Sequence, residues 1–223
     1  MTGTSQPVTS NQSGPHSNLL DLVKRHLKSP FLKPIAAHNQ LAFEKAQDFV
    51  TARELPICLD SFCGTGYSTA QLAEKSTDRI YIGIDQSGNR LDKHGPQQSD
   101  NYLLVQAEAG DFWRLAVAAG WRIEEHWILY PNPWPKSAHL SRRLHGSPVF
   151  PALLALGGQL ECRSNWQLYI EELGLVLDHL GMPTDISRLA PAPPLTLFEK
   201  KYQASNHPLW RCSANLKQFH NRT

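Results

Sequence analysis

The chain has 223 residues, 41% of them hydrophobic, and a formal net charge of +2. At roughly 100–200 residues per domain that excludes a large multidomain assembly, and so mild a charge confines any role in nucleic-acid binding to local basic patches. No apolar run approaches the ~18 residues a membrane span needs, no basic-then-apolar leader opens the sequence, and Cys58, Cys63, Cys162 and Cys212 lack paired metal-ligand spacing; the expectation is a soluble cytoplasmic protein with no metal and no membrane contact.

Residues 1–18 are rich in Ser, Thr, Asn, Gln, Gly and Pro. They cannot bury enough apolar surface to offset the entropy of ordering, which predicts a flexible tail. Two helices are expected over 19–55. The first runs from Asn18 to Lys28, with Leu19, Leu20, Val23 and Leu27 at helical spacing and Lys24, Arg25, His26 and Lys28 opposite. The second runs from about Asn39 to Ala52. From 56 to 217 short strands and helices alternate, so 19–217 reads as a single domain. The strands are Ile57–Leu59, Ile80–Ile84, Leu103–Val105, Trp127–Tyr130 and Gln159–Cys162, with helices over 67–75, 89–93, 111–119, 148–156 and 166–180. Two more strand-like runs, 195–202 and 209–216, suggest a hairpin. The pattern implies an α/β fold with a doubly wound, mostly parallel seven-stranded sheet and an antiparallel C-terminal strand pair.

Two stretches carry chemistry. Asp60-Ser61-Phe62-Cys63-Gly64-Thr65-Gly66 follows the first strand and opens a helix, and Asp85 ends the next strand, 19 residues beyond Gly66. Glycines let backbone approach a ligand closely, and an acid about 20 residues on is placed to grip ribose hydroxyls. Gln86 lies beside that acid, and Cys63 sits in the loop itself. The third glycine of a pyrophosphate loop is missing, because Tyr67-Ser68-Thr69 follows Gly66, so a ribose-bearing cofactor without pyrophosphate fits better: S-adenosylmethionine. Glu108, after the third strand, can reach an adenine amino group.

The second stretch is Leu129–Arg143, with Pro131-Asn132-Pro133-Trp134-Pro135-Lys136 at its centre. Three prolines in five residues continue neither strand nor helix, so a rigid loop ends the fourth strand at the sheet edge where ligands bind. Lys136, His139, Arg142, Arg143 and His145 form a basic patch beside Trp134, suited to a phosphate backbone and a flipped base.

These residues resemble the bacterial tRNA (guanine-N7)-methyltransferases, class I S-adenosylmethionine-dependent enzymes, over roughly 56–216. PNPWPK with SRR behind it, Ser164-Asn165-Trp166-Gln167-Leu168-Tyr169 and Leu195-Thr196-Leu197-Phe198-Glu199 stand where that family has P-D-P-W-x-K, T-D-W-x-x-Y and T-K-F-E. The resemblance implies that Asp60, Gly64, Asp85 and Glu108 hold the cofactor, with Cys63, Gly66 and Gln86 beside them. It puts Asn132 between cofactor and target base with Trp134 next to it, and turns Lys136, Asn165, Thr196 and Glu199 to a substrate. With Arg142 and Arg143 of the basic patch, the expected substrate is tRNA or another structured RNA, and the expected state a monomer or homodimer. The chain departs from the family at Asn132, Asn165 and Leu197. Those departures keep two other readings open: a divergent methyltransferase acting on an amino nitrogen of another RNA, a protein or a small molecule, and an RNA-binding module that keeps the cofactor fold with weak catalysis.

Overall fold

The computed structural model describes residues 5–97 and 99–221. Two helices, α1 (Leu19–Lys28) and α2 (Ala37–Thr51), precede a sheet whose strands alternate with helices: β1 (Ile57–Ser61), α3 (Tyr67–Lys75), β2 (Ile80–Asp85), α4 (Gly88–Leu91), β3 (Tyr102–Gln106), α5 (Ala109–Ala118) and β4 (Ile123–Leu129). After 3₁₀ turns at Ser137–Arg142 and Leu144–Gly146 come α6 (Phe150–Leu156), β5 (Gln159–Ser164), α7 (Gln167–His179), β6 (Thr184–Arg188), α8 (Leu197–Ala204) and β7 (Trp210–Asn215).

The seven strands lie in the order β3-β2-β1-β4-β5-β7-β6. The first five are parallel, and β7 runs antiparallel to both β5 and β6. Chain order reverses between β1 and β4, so a crevice opens beyond their carboxyl ends, the place for a ligand in such sheets. β1 and β2 are buried at every position, as strands covered on both faces must be. Ile57, Leu59, Ile82, Ile84, Phe112, Trp113, Leu153 and Leu173 belong to one continuous core, while Cys58, Leu72, Tyr81, Tyr102 and Leu129 form a second, smaller cluster. No helix among the described residues is long and apolar enough to cross a membrane.

The C-terminal hairpin has a different membership from the one expected. Residues 195–202 are not a strand: they begin α8. Thr196 is its N-cap, its hydroxyl accepting from the Glu199 amide at 2.9 Å, and the Glu199 carboxylate reaches back to the Leu195 amide at 3.2 Å. That reciprocal capping outweighs the β-like run Leu195-Thr196-Leu197-Phe198. The true partner of β7 is β6, whose half-exposed, charged sequence Thr184-Asp185-Ile186-Ser187-Arg188 carries little strand signal.

Residues 5–17 form no helix or strand, and residues 1–4 of the tail expected over 1–18 lie outside the described residues. Ser10, Asn11, Gln12 and His16 hydrogen-bond to residues 135–172.

Candidate active site

A cavity of about 560 Å³ opens at the carboxyl edge of β1, β2, β3 and β4. Its wall includes Asp85 at the end of β2 and Gln86 after it, Glu108 after β3, and Asn132 and Trp134 after β4, with Arg142 at the 3₁₀ turn. Asp85 and Asn132, 47 residues apart in sequence, therefore meet in one chamber, since parallel register sets the ends of neighbouring strands side by side.

The Asp85 carboxylate is buried and already held from three directions. It accepts from the Gly64 amide at 2.9 Å and the Ser87 amide at 2.8 Å, and pairs with Arg90 at 2.9 Å. A carboxylate offers about four acceptor positions, so a further donor can still be taken. Glycine suits position 66, where φ is +76° and a Cβ would have to displace the end of the Leu104 side chain, 2.4 Å from Cδ1. Glu108 caps α5, its side chain accepting from the Asp111 amide at 3.2 Å, and its own amide donates to Asn39 Oδ1 at 3.0 Å. Asn39 in turn donates to Asp111 at 2.8 Å. The loop after β3 is thus fixed by a helix from outside the sheet, a link that no motif announces.

Asp60, Cys63, Gly64 and Gly66 are absent from the cavity wall. Asp60 is buried and accepts from the Ser68 and Thr69 hydroxyls at 2.6 and 2.7 Å through Oδ2, while Oδ1 finds no partner among the described residues. Burial raises its carboxyl to about 6, against the opposing pull of those two hydroxyls. Burial also pushes the Cys63 thiol well up, so it carries no thiolate at neutral pH.

The chamber's aromatic walls went unanticipated, apart from Trp134. Phe62, Trp113, Tyr130, Tyr169, Phe198 and Tyr202 all line it. Phe62, Tyr130 and Trp134 have φ of +66°, +56° and +45°. A bulky residue in the left-handed region costs of the order of 1–2 kcal/mol, and such residues cluster where a site over-determines the backbone. Prolines flank Trp134 on both sides, and Asn132 Oδ1 accepts from its amide at 3.4 Å. The Arg142 guanidinium lies over the Trp134 ring at 4.8 Å, and His139 meets that ring edge-on at 5.5 Å. From the other side Phe198 stacks on Tyr202 and Tyr202 on His207, at 6.1 and 5.5 Å.

The expected basic patch splits in two. Lys136 and Arg142 are exposed and His139 half-buried. Arg143 and His145 are wholly buried and bound to Glu172, so neither can meet a phosphate. The physical reason is the turn after Lys136, which points Arg143 inward where an acid awaits it. Thr196 and Glu199 are likewise turned to capping, and Glu199 pairs with Arg163 at 3.2 Å. Asn165 lies off the cavity wall, its amide 3.4 Å from His207. Among the described residues no cluster of His, Cys, Asp and Glu could hold a metal.

A family profile described as "Putative methyltransferase" matches residues 54–212. The chain belongs to this family. Among its relatives is a protein of Paraburkholderia xenovorans named tRNA (guanine-N(7)-)-methyltransferase, 31% identical over 72% of this chain and 66% of that one. A protein of the same name from Burkholderia thailandensis is 30% identical over 73% of this chain. The chain spans just under two thirds of those relatives' own length, 66% and 65% respectively. The crystal structure of the 16S rRNA methyltransferase KamB superposes with a TM-score of 0.57 over 82% of this chain and 94% of that one, at 15% identity; that likeness is one of fold. The sheet order and the antiparallel β7 are the class I methyltransferase architecture.

Proposed function

We propose that this chain transfers a methyl group from S-adenosylmethionine to N7 of a guanine in tRNA, in the cytoplasm, with residues 19–217 as the domain that carries the sheet. The observation that carries the reading is one cavity holding both an anchored ribose-type acid, Asp85, and the Asn-Pro-Trp loop. The chamber lies in the size range of small-molecule sites, about 300–1,000 Å³. Its residues suit the cofactor: acceptors at Asp85 and Glu108 for hydroxyl and amino donors, and apolar walls at Phe62 and Ile84. The relatives' name supplies the tRNA and the N7 position.

When bound, S-adenosylmethionine supplies an electrophilic methyl on a sulfonium. N7 already carries a lone pair, so no residue of this chain need remove a proton. Asp85, Gln86 and Glu108 hold the donor; Trp134 offers a face for the target ring; Lys136 and Arg142 meet backbone phosphate. The work is alignment, which can lower a barrier by up to ~7–11 kcal/mol in ideal cases. The product ring is cationic. Asn132 meets it with an amide dipole where the family has a carboxylate, and losing one such stabilising group costs about 10²–10³ in rate. Asn132 also motivates a second reading, because an amide oxygen is a natural acceptor for an amino nitrogen.

Labelled S-adenosylmethionine with total tRNA tests both. Borohydride and aniline treatment of the product cleaves the strand at 7-methylguanosine, and scission is the expected result. Methyl incorporation without scission would favour the amino nitrogen. No incorporation, with cofactor still bound, would leave an RNA-binding module or a non-RNA substrate.

A further inference from the structure

We infer that the N-terminal segment is part of the active site, with Gln12 a positioning residue that sets Trp134 and the Pro131–Lys136 loop through the buried Arg143–Glu172 pair. Its catalytic consequence rests on the methyl-transfer reading above; the contacts themselves do not.

Arg143 and Glu172 are both fully buried, so each donor and acceptor they carry needs a partner. Arg143 donates through Nη1 to Glu172 Oε2 at 2.5 Å and through Nε to the Trp134 carbonyl at 3.2 Å. Nη2 donates to Gln12 Oε1 and, at 3.4 Å, to the Lys136 carbonyl. The Trp166 ring lies 4.9 Å from the guanidinium carbon. Glu172 Oε2 also meets His145 Nε2 at 3.0 Å, and Oε1 accepts from Gln12 Nε2 at 3.2 Å and from the His16 amide at 2.9 Å. One side-chain amide therefore serves both ions: its oxygen takes the arginine, its nitrogen supplies the glutamate. Glu has no donor for this and Lys no acceptor.

The same segment grips the loop directly. Ser10 Oγ donates to the Pro135 carbonyl at 2.6 Å. Asn11 donates to Ser137 Oγ and accepts from the Ser137 amide, both at 3.2 Å. Residues 10–16 thus run as a strap from the loop to the ion pair. Trp134 needs such bracing, since its φ of +45° persists only under external constraint. Without Gln12, one guanidinium N–H and one carboxylate position lose their partner, the arginine re-aims, and its hold on the Trp134 carbonyl slackens. The hydrogen bonds of Asp85 involve none of these residues. The family match begins at residue 54, so this brace comes from outside it.

The test uses the full chain carrying Gln12→Ala. Single-turnover methyl transfer should fall about tenfold to a hundredfold, the scale on which ~1 Å of misplacement acts, with S-adenosylhomocysteine affinity unchanged. Gln12→Glu keeps the acceptor for Arg143 but faces Glu172 with a like charge. Its activity should therefore rise as pH falls, when a shared proton bridges the two carboxylates, a trend the wild type lacks. Independently of catalysis, hydrogen exchange over residues 131–146 should quicken in Gln12→Ala. A wild-type transfer rate in Gln12→Ala, or unchanged exchange, overturns the proposal. Wild-type protein that binds S-adenosylhomocysteine yet methylates no RNA overturns the functional reading instead, and the exchange result then decides the brace alone.

Discussion

The two halves of the cavity are built on different principles. On the side of β1, β2 and β3, each acid takes most of its bonds from backbone amides, those of Gly64 and Ser87 for Asp85 and that of Asp111 for Glu108, with Arg90 paired to Asp85 and Asn39 of α2 reaching the Glu108 amide from farther off. On the side of β4, the Pro131–Lys136 loop is held by distant side chains, with Arg143, Glu172 and Gln12 converging from three parts of the chain. Locally built parts tolerate change elsewhere. Remotely braced parts fail when a residue far from the chemistry is altered, and they can be retuned from there.

The largest test of this contrast is Glu172→Gln, which strands a buried guanidinium. It should cost about 3–5 kcal/mol in urea unfolding and loosen the loop, while protein that remains folded still binds S-adenosylhomocysteine. Next is Asp85→Asn, which should weaken S-adenosylhomocysteine by about 1.5–3 kcal/mol by calorimetry, as for a hydrogen bond to a charged group. Exchange over 131–146 should not respond to it. If it does, the halves are not separate.

Titration offers a subtler probe, because the two halves carry acids shifted in opposite senses. Burial raises Asp60 from its usual 3.8 to about 6. Its stabilising share is complete below pH 3.8 and is lost as pH rises through 6, with a slope of at most ~1.4 kcal/mol per pH unit. Burial also works to raise Glu172, but its bonds to His145, Arg143 and the His16 amide prevail and hold it down to about 2. Its share is complete above pH 4.5 and is lost as pH falls toward 2. Asp60→Asn should therefore flatten the decline in stability between pH 4 and 6 and leave the acid limb unchanged. The smallest effect is Thr196→Ala, which removes the cap of α8 and should lower stability by about 1 kcal/mol while shifting Phe198 at the cavity edge.

The same contrast decides what the sequence could reveal. Asp85 and Glu108 were legible because strand ends and spacing are local signals. Asn132 and Trp134 were legible because prolines mark a loop wherever they fall. Gln12, Asn39 and Glu172 were not, since a buried network of distant polar residues has no period and no motif. Arg143 misled for a related reason: beside Arg142 it reads as surface charge, and only the partner at 172 shows that it turns inward. Residues 195–202 misled because the β-like side chains spoke louder than the Thr196–Glu199 pair, although that pair is visible in sequence three residues apart. Phe62 and Tyr130 carried no signal as wall residues, since positive φ at an aromatic is against expectation.

Those left-handed aromatics bear on how the protein would respond to laboratory evolution. Glycine at 62 or 134, which are less buried than the core ring of Tyr130, relieves a backbone that a bulky residue resists. A library sorted for heat resistance alone would be drawn to glycine there, trading rings for ease of backbone and stripping the chamber of its walls. Sorting for turnover as well would be needed to keep them.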